Sequence, residues 1–214
     1  GLEWIRFTTS HPMNFTRELA RTLVENPKIA PFLHLPVQSG SDVVLKRMLR
    51  EYTREQYLER LGFLGGGRRR IALSTDFIIG FPGETDADFE ATLSLLDTVQ
   101  FDSSFSFIYS PRPGTPALRL KDDIPQRVKA ERLKVLQQRQ TELTRASNQA
   151  FVGRTVKARI ESQGQTHEGF WMARTGEWKV IHLHANAGCQ LPLGELVEMR
   201  ITDSGPHFLA AELA

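Results

Sequence analysis

The sequence predicts an α/β unit, part of a (β/α) barrel, followed by a small all-β, OB-like barrel. Three observations lead there. Short apolar runs alternate with amphipathic helical stretches as far as residue 110, a long basic helical stretch follows Pro125, and after Phe151 short runs of alternating polarity are separated by turn residues. The first pattern is that of parallel βα units with right-handed crossovers; the last is that of a closed antiparallel sheet. The expected divisions are a partial barrel over 1–125, a basic linking helix over 126–150 and a β domain over 151–214.

Taken in order, residues 3–8 read as a strand and 16–26 as a helix with Leu19, Leu23 and Val24 inward, stopped by Pro27. A second strand is expected over 32–37, after which Ser41 can cap a helix carrying Val44, Leu45, Met48 and Leu49. Thr53 to Gln56 form a capping box that opens another helix, ended by Gly65 to Gly67. The third strand, 70–79, is a short apolar run suited to burial on both faces. Pro82 and Gly83 then fit the two central positions of a type II turn, and Thr85 can accept from the Asp88 amide to cap a helix over 87–99. A fourth strand is expected over 103–109, followed by a stiff loop with three prolines between Ser110 and Pro116. The basic helix should bury Val128, Val135, Leu136 and Leu143. The β domain should place strands at 155–161, 169–174, 178–183, 196–202 and 207–212.

Four strands are too few for a closed eight-fold barrel, so the sheet is expected to be part of a larger domain that begins before Gly1. No apolar run is long enough to cross a bilayer and no charged-then-apolar leader is present, which points to the cytoplasm. The single cysteine, Cys189, rules out an internal disulfide and a self-contained thiolate cluster. The net charge of +2 is unevenly spread: residues 126–150 hold six Lys and Arg against two Asp and Glu, whereas the flanking segments are balanced. Such a helix can attract phosphates or can be an ordinary solvated face.

Polar residues recur at the same end of each expected strand: His11 after the first, His34 and Gln38 to Ser41 after the second, Asp76 and Glu84 around the third, and Tyr109 to Thr115 after the fourth. Ligands of parallel α/β sheets sit at that end. Singly, each residue also has a structural reading as a cap or a core partner. His182 and His184 share a strand face but lack further ligands nearby and read as surface residues. Gly65 to Arg70 lacks the strand and helix of a phosphate loop.

His34 to Asp42, Ser74 to Thr85 and Ser104 to Ala117, with Arg6 to Pro12, together resemble the methylthiotransferase family of radical S-adenosylmethionine (SAM) enzymes, most closely its MiaB-like tRNA branch. The tail from Phe151 is similar to the family's TRAM domain. The resemblance implies the C-terminal part of a radical SAM partial barrel. In the full enzyme, two 4Fe–4S clusters, an electron donor and SAM would generate a deoxyadenosyl radical that leads to methylthiolation at carbon 2 of isopentenyl-adenosine beside the tRNA anticodon. It also implies that Gln38, Ser39, Asp76, Ile78, Ile79, Gly80, Glu84 and Tyr109 line or border the SAM pocket, and that Arg112 faces the substrate. The anticodon stem-loop would be gripped by Arg127, Lys129, Arg132 and Lys134 on the helix and by Arg154, Lys157, Arg159, Trp171 and Trp178 on the β domain, with Phe170 as a further stacking surface; the alternative for the three aromatic residues is that they fill the barrel. The cluster-binding cysteines of the family are missing here, so no metal site and no catalytic residue is expected in this chain, and alone it should be inactive. Alternatives are the branches acting on threonylcarbamoyl-adenosine in tRNA or on a ribosomal-protein aspartate, and a non-catalytic RNA-binding protein.

Overall fold

The computed structural model describes the chain except residues 1–2, 9–10, 66–68, 165–168 and 186–188. The glycine-rich connection that the sequence places before Arg70 therefore lies largely outside the described residues. Strands β1 (Phe32–His34), β2 (Ala72–Ile79) and β3 (Ser103–Ile108) form a parallel sheet in the order β1-β2-β3. The register pairs His34 with Ser74, Asp76 with Phe105 and Ile78 with Phe107. Helices α1 (Arg17–Glu25), α2 (Asp42–Arg47), α3 (Arg54–Gly62) and α4 (Asp86–Val99) complete the βα units. Leu23, Leu33, Tyr57, Phe77, Ile79, Leu96 and Leu136 are buried together in one core.

Local chemistry sets the helix starts. Thr16 accepts from the Leu19 amide, and Thr53 and Thr85 each form a reciprocal capping box with the residue three positions on. The turn before α4 is closed by the Glu84 amide donating to the Phe81 carbonyl at 2.9 Å, with Gly83 at φ 77° as a type II turn requires. Arg47 of α2 clamps that turn by donating to the Gly83 carbonyl.

Two expected strands are corrected. Residues 3–8 do not form a strand: Ile5 alone bridges Ile29, ahead of β1. Its backbone pairs at that one point, the Ile5 amide donating to the Lys28 carbonyl and the Ile5 carbonyl accepting from the Ala30 amide, while the Arg6 guanidinium ties the segment to the β domain by donating to the Thr175 carbonyl at 2.8 Å. The sheet thus has three strands among the described residues, not four. The second strand ends at His34 rather than Val37, because side chains take over its polar groups. Tyr57 Oη and Thr75 Oγ1 donate to the Leu35 carbonyl, Thr75 Oγ1 accepts from the Val37 amide, and Tyr52 Oη donates to the Val37 carbonyl.

Helix α5 (Gln126–Gln149) is about 36 Å long at 1.5 Å per residue. Leu136 is buried as expected, but Val135 is exposed. Beyond it β4 (Thr155–Gln163), β5 (Phe170–Thr175), β6 (Val180–His184), β7 (Leu196–Ser204) and β8 (Leu209–Leu213) close a five-stranded barrel in the order β4-β5-β6-β8-β7. Ala158, Ile160, Trp171, Ile181, Leu183, Met199, Ile201 and Leu209 fill it. Closure leaves no free sheet edge.

The barrel is fixed to the sheet through Asp102, just before β3. Arg70 donates to both carboxylate oxygens at 3.0 Å, the Leu73 amide and Ser147 Oγ donate at 3.0 and 2.5 Å, and Lys179 Nζ lies at 3.1 Å. Burial pushes the Asp102 carboxyl up, but Lys179, Ser147, Arg70 and the Leu73 amide outweigh it and hold the group below its ordinary value. One carboxylate joins the sheet, α5 and the barrel.

Candidate cofactor pocket and nucleic-acid interface

The C-terminal ends of β1, β2 and β3 form the mouth of the sheet. His34 Nδ1 lies 3.0 Å from Ser74 Oγ, and His34 Nε2 lies 3.5 Å from Asp76 Oδ1. Alternation along β2 puts Asp76 and half-buried Ile78 on one face, while Phe77 and Ile79 enter the core with the helices. Ile79 is thus turned away from the face on which the sequence placed it. Beside Asp76 and Ile78 stand Phe105 and Phe107 of β3, 57 % and 56 % exposed.

Gln38 takes the left-handed conformation at φ 74°, a strained choice for a residue with a side chain. Its amide donates to the Asp76 carbonyl and its carbonyl accepts from the Ile78 amide, both at 2.9 Å, so the strain is held in place by β2. Ser39 is buried, within 3.3 Å of Thr92 Oγ1, and accepts from the Ser41 amide. A Cβ on Gly40 would lie 2.4 Å from the Ala91 carbonyl oxygen, which explains the glycine. Ser41 Oγ donates to Asp88 at 2.5 Å. Burial alone would raise Asp88, but Ser41, Thr85 and Arg47 hold its carboxyl below the usual range. The segment is therefore welded to α4, with Ser39 as part of the weld.

Gly80, at φ 71°, donates its amide to Glu84 Oε1 at 3.0 Å. Arg132 donates to the same oxygen at 2.8 Å and to Asp86 at 2.6 Å. Burial pushes the Glu84 carboxyl up, opposed by the Gly80 amide and Arg132, and Glu84 Oε2 is buried with no hydrogen-bond partner. Lys129 packs over Gly80 and donates to Asp122 at 2.7 and 2.6 Å. Tyr109 contacts Phe81 edge-on at 4.9 Å, with Lys129 Nζ 5.6 Å from its ring.

Several expected RNA contacts are corrected by this geometry. Lys129 and Arg132 are 2 % and 8 % exposed and are spent on ion pairs inside the molecule, so they do not face phosphates. Trp171 is buried within the barrel at 2 % exposure. Trp178 carries the Arg6 and Arg174 guanidinium groups at 4.1 and 4.6 Å and stacks on Phe32 at 5.7 Å, which makes it a joint between the barrel and the sheet. Burial, with Arg159 and Arg174 nearby, lowers the Arg6 pKa to about 10. Arg112, Arg127, Lys134, Arg154, Lys157 and Arg159 are exposed. Arg127 pairs loosely with Glu131, and Arg159 with Glu161.

Sequence reasoning missed the exposed pair Phe105 and Phe107. The Ser-Phe-Ser-Phe alternation at 104–107 was the available signal.

Comparison with known proteins bears on both halves. Residues 1–96 match the radical SAM superfamily and residues 149–214 the TRAM domain. The chain thus carries a segment similar to the radical SAM superfamily and, after it, one similar to TRAM domains. Over its whole length it is 42 % identical to a tRNA-2-methylthio-N(6)-dimethylallyladenosine synthase of Koribacter versatilis, covering 48 % of that protein. It is 44 % identical to proteins of the same name from Solibacter usitatus and Thermus thermophilus, covering 48 % and 45 % of them. The chain thus spans about half the length of the curated relatives it matches. Among solved structures, the Escherichia coli coproporphyrinogen III oxidase, a radical SAM enzyme, superposes on 81 % of this chain with a TM-score of 0.51 at 19 % identity, a likeness of fold alone.

The single cysteine cannot supply the three or four thiolates of an iron–sulfur cluster, so the residues of this chain do not fit that group. Toward SAM the mouth offers the half-buried strand edge at Ile78, the Tyr109 ring with buried Phe81 behind it, the acid Asp76 and the turn of the chain at Gln38, groups of the types that a nucleoside and an amino acid call for. Among the described residues, no helix is long and apolar enough to cross a membrane.

Proposed function

We propose that this chain supplies part of the SAM pocket and the RNA grip of a radical SAM tRNA methylthiotransferase acting at carbon 2 of isopentenyl-adenosine. The observation that carries the reading is similarity over the whole of this chain to about half the length of enzymes of that name, joined to a sheet mouth with the residue types that SAM calls for. Ile78 and Tyr109 flank the adenine, Gln38 and Asp76 hold the polar portion, and Gly80 allows the close approach of Lys129. Ser39, Ile79 and Glu84 position these groups from behind. When bound, SAM supplies the radical and methyl chemistry of the superfamily, with iron–sulfur clusters and an electron donor held outside this chain.

RNA is attracted by the exposed cations. Arg112 stands on the loop beyond β3, Arg127 and Lys134 on α5, and Arg154, Lys157 and Arg159 at and along β4, so that phosphate contacts run from the sheet to the barrel. The site of action is cytoplasmic, where tRNA is modified.

A hybrid enzyme tests the activity. Exchanged for the corresponding half of a curated relative, this chain should restore methylthiolated isopentenyl-adenosine in tRNA, read by mass spectrometry of the nucleosides, and Ile78→Asp should abolish it. A folded hybrid that holds its clusters and leaves the nucleoside unmodified refutes the assignment.

A further inference from the structure

Both tryptophans expected to stack on RNA are committed to intramolecular contacts, yet the barrel still presents rings on its outer face. Cross-strand pairing places Phe170 opposite His184, and Met172 opposite His182. Phe170 meets both imidazoles edge-on at 5.2 and 5.3 Å, and His182 lies nearly parallel to Phe208, 4.6 Å away at 10°. These rings are not core filling, since the interior is occupied by Trp171, Leu183 and their neighbours. Glycines hold the rings close to the backbone: a Cβ on Gly164 would come within 2.1 Å of Phe170, and one on Gly205 within 2.5 Å of Phe208. The rings already pack on one another without a ligand, an arrangement that lowers the entropy lost on binding.

A second feature begins at the neighbouring residue of the chain. His207, next to Phe208 in the chain, lines an open groove of about 490 Å³ that also includes Phe105, Phe107 and Gln140. The groove runs beside the free edge of β3, the strand whose end reaches the mouth. Gln140 is 8 % exposed; its Nε2 donates to the Phe101 carbonyl and to Thr144, while its Oε1 accepts no hydrogen bond among the described residues. The carboxamide is thereby fixed in place, and the exposed rings and the serine and threonine hydroxyls around it suit the faces and edges of nucleobases. Among the described residues no Lys or Arg lines the groove, which suits bases rather than phosphates. The exposed cations Lys157 and Arg159 lie on β4, adjacent to the strand that carries Phe170.

We infer that the Phe170–His182–His184–Phe208 cluster and the His207–Phe107 groove form one track for unpaired RNA bases, leading from the barrel to the mouth of the sheet. The inference rests on the tRNA reading proposed above and assigns the recognition of the unpaired loop, as distinct from the stem, to these residues. Stacking on aromatic rings is tolerant of sequence, and it discriminates single strands from duplex because only unstacked bases offer their faces.

The test is equilibrium binding of an anticodon stem-loop RNA and of a fully paired duplex of equal length to the 214-residue chain. It compares the wild type with His184→Ala, Phe107→Ser and, as an electrostatic control, Lys134→Ala. The two ring variants alter exposed side chains and should keep the wild-type circular dichroism. Each should weaken stem-loop binding about tenfold, leaving duplex binding and the salt slope unchanged. Lys134→Ala should weaken both RNAs and lower the salt slope by about 1. Stem-loop affinity unchanged in both ring variants, with Lys134→Ala still effective, overturns the track and leaves the tRNA reading standing. A wild-type chain that binds neither RNA overturns both.

Discussion

Helix α5 is pinned at both ends by a buried carboxylate, and the two carboxylates are treated differently. At its C-terminal end Asp102 receives donors from Arg70, Leu73, Ser147 and Lys179, and its carboxyl is held below the ordinary value. At the mouth, Glu84 receives the Gly80 amide and Arg132 on one oxygen, keeps the other buried without a partner, and has its carboxyl pushed up by burial. The first is a satisfied joint between units. The second is incompletely satisfied, and it borders the strand ends where a ligand is expected. Unsatisfied buried polar atoms are uncommon in folded proteins and concentrate where function opposes stability.

The largest effect should come from breaking the joint. Lys179→Met leaves Asp102 without its buried cation and should cost about 3–5 kcal/mol, the usual penalty for orphaning a buried charge. Urea unfolding should then separate into a barrel transition and a sheet transition. An unchanged midpoint with one transition would sink the idea that this pair joins the units. Arg132→Met should cost less, about 2–3 kcal/mol, because Glu84, already inclined to protonate, can take up a proton once its cation is gone. Equal losses in the two variants would erase the distinction drawn between the carboxylates.

Acid should separate the two sites by sign. Asp102 has a lowered pKa in the fold, so its stabilisation is complete above the ordinary aspartate value and is lost as pH falls through the lowered one. Glu84 has a raised pKa, so its contribution is greatest below the ordinary glutamate value and declines as pH rises through the raised one. The acid-side fall of the urea midpoint should be smaller in Asp102→Asn and undiminished in Glu84→Gln, Asp88 and Glu161 supplying the remainder. The smallest effect belongs to the surface: Arg127→Ala should change the midpoint by less than about 0.5 kcal/mol, since the pair with Glu131 is solvent-exposed.

What the sequence made legible was local. The capping box at Thr53, the cap at Thr85, the turn at Gly83 and the order of strands and helices from β1 onward depend on residues within a few positions of one another, and the structure has them where the pattern placed them, Thr85 forming a full box with Asp88. The inward face of α5 was not legible. Lys129 and Arg132 look like phosphate ligands until Asp122 and Glu84 are seen beside them, and Glu84 is 48 residues away. The same holds for Trp178, whose partners Arg6 and Phe32 come from the other end of the chain. The mouth was half readable: Gln38, Asp76, Ile78 and Tyr109 gather there, whereas Ser39, Ile79 and Glu84 support it from within.

The most direct measurement is stem-loop RNA affinity as a function of salt for the wild type, Lys157→Ala and Lys129→Met. The account predicts wild-type binding that falls steeply with salt, a slope lowered by about 1 in Lys157→Ala, and an unchanged slope in Lys129→Met, whose cation is buried against Asp122. Salt-independent binding, or a slope that changes in Lys129→Met as much as in Lys157→Ala, would contradict it.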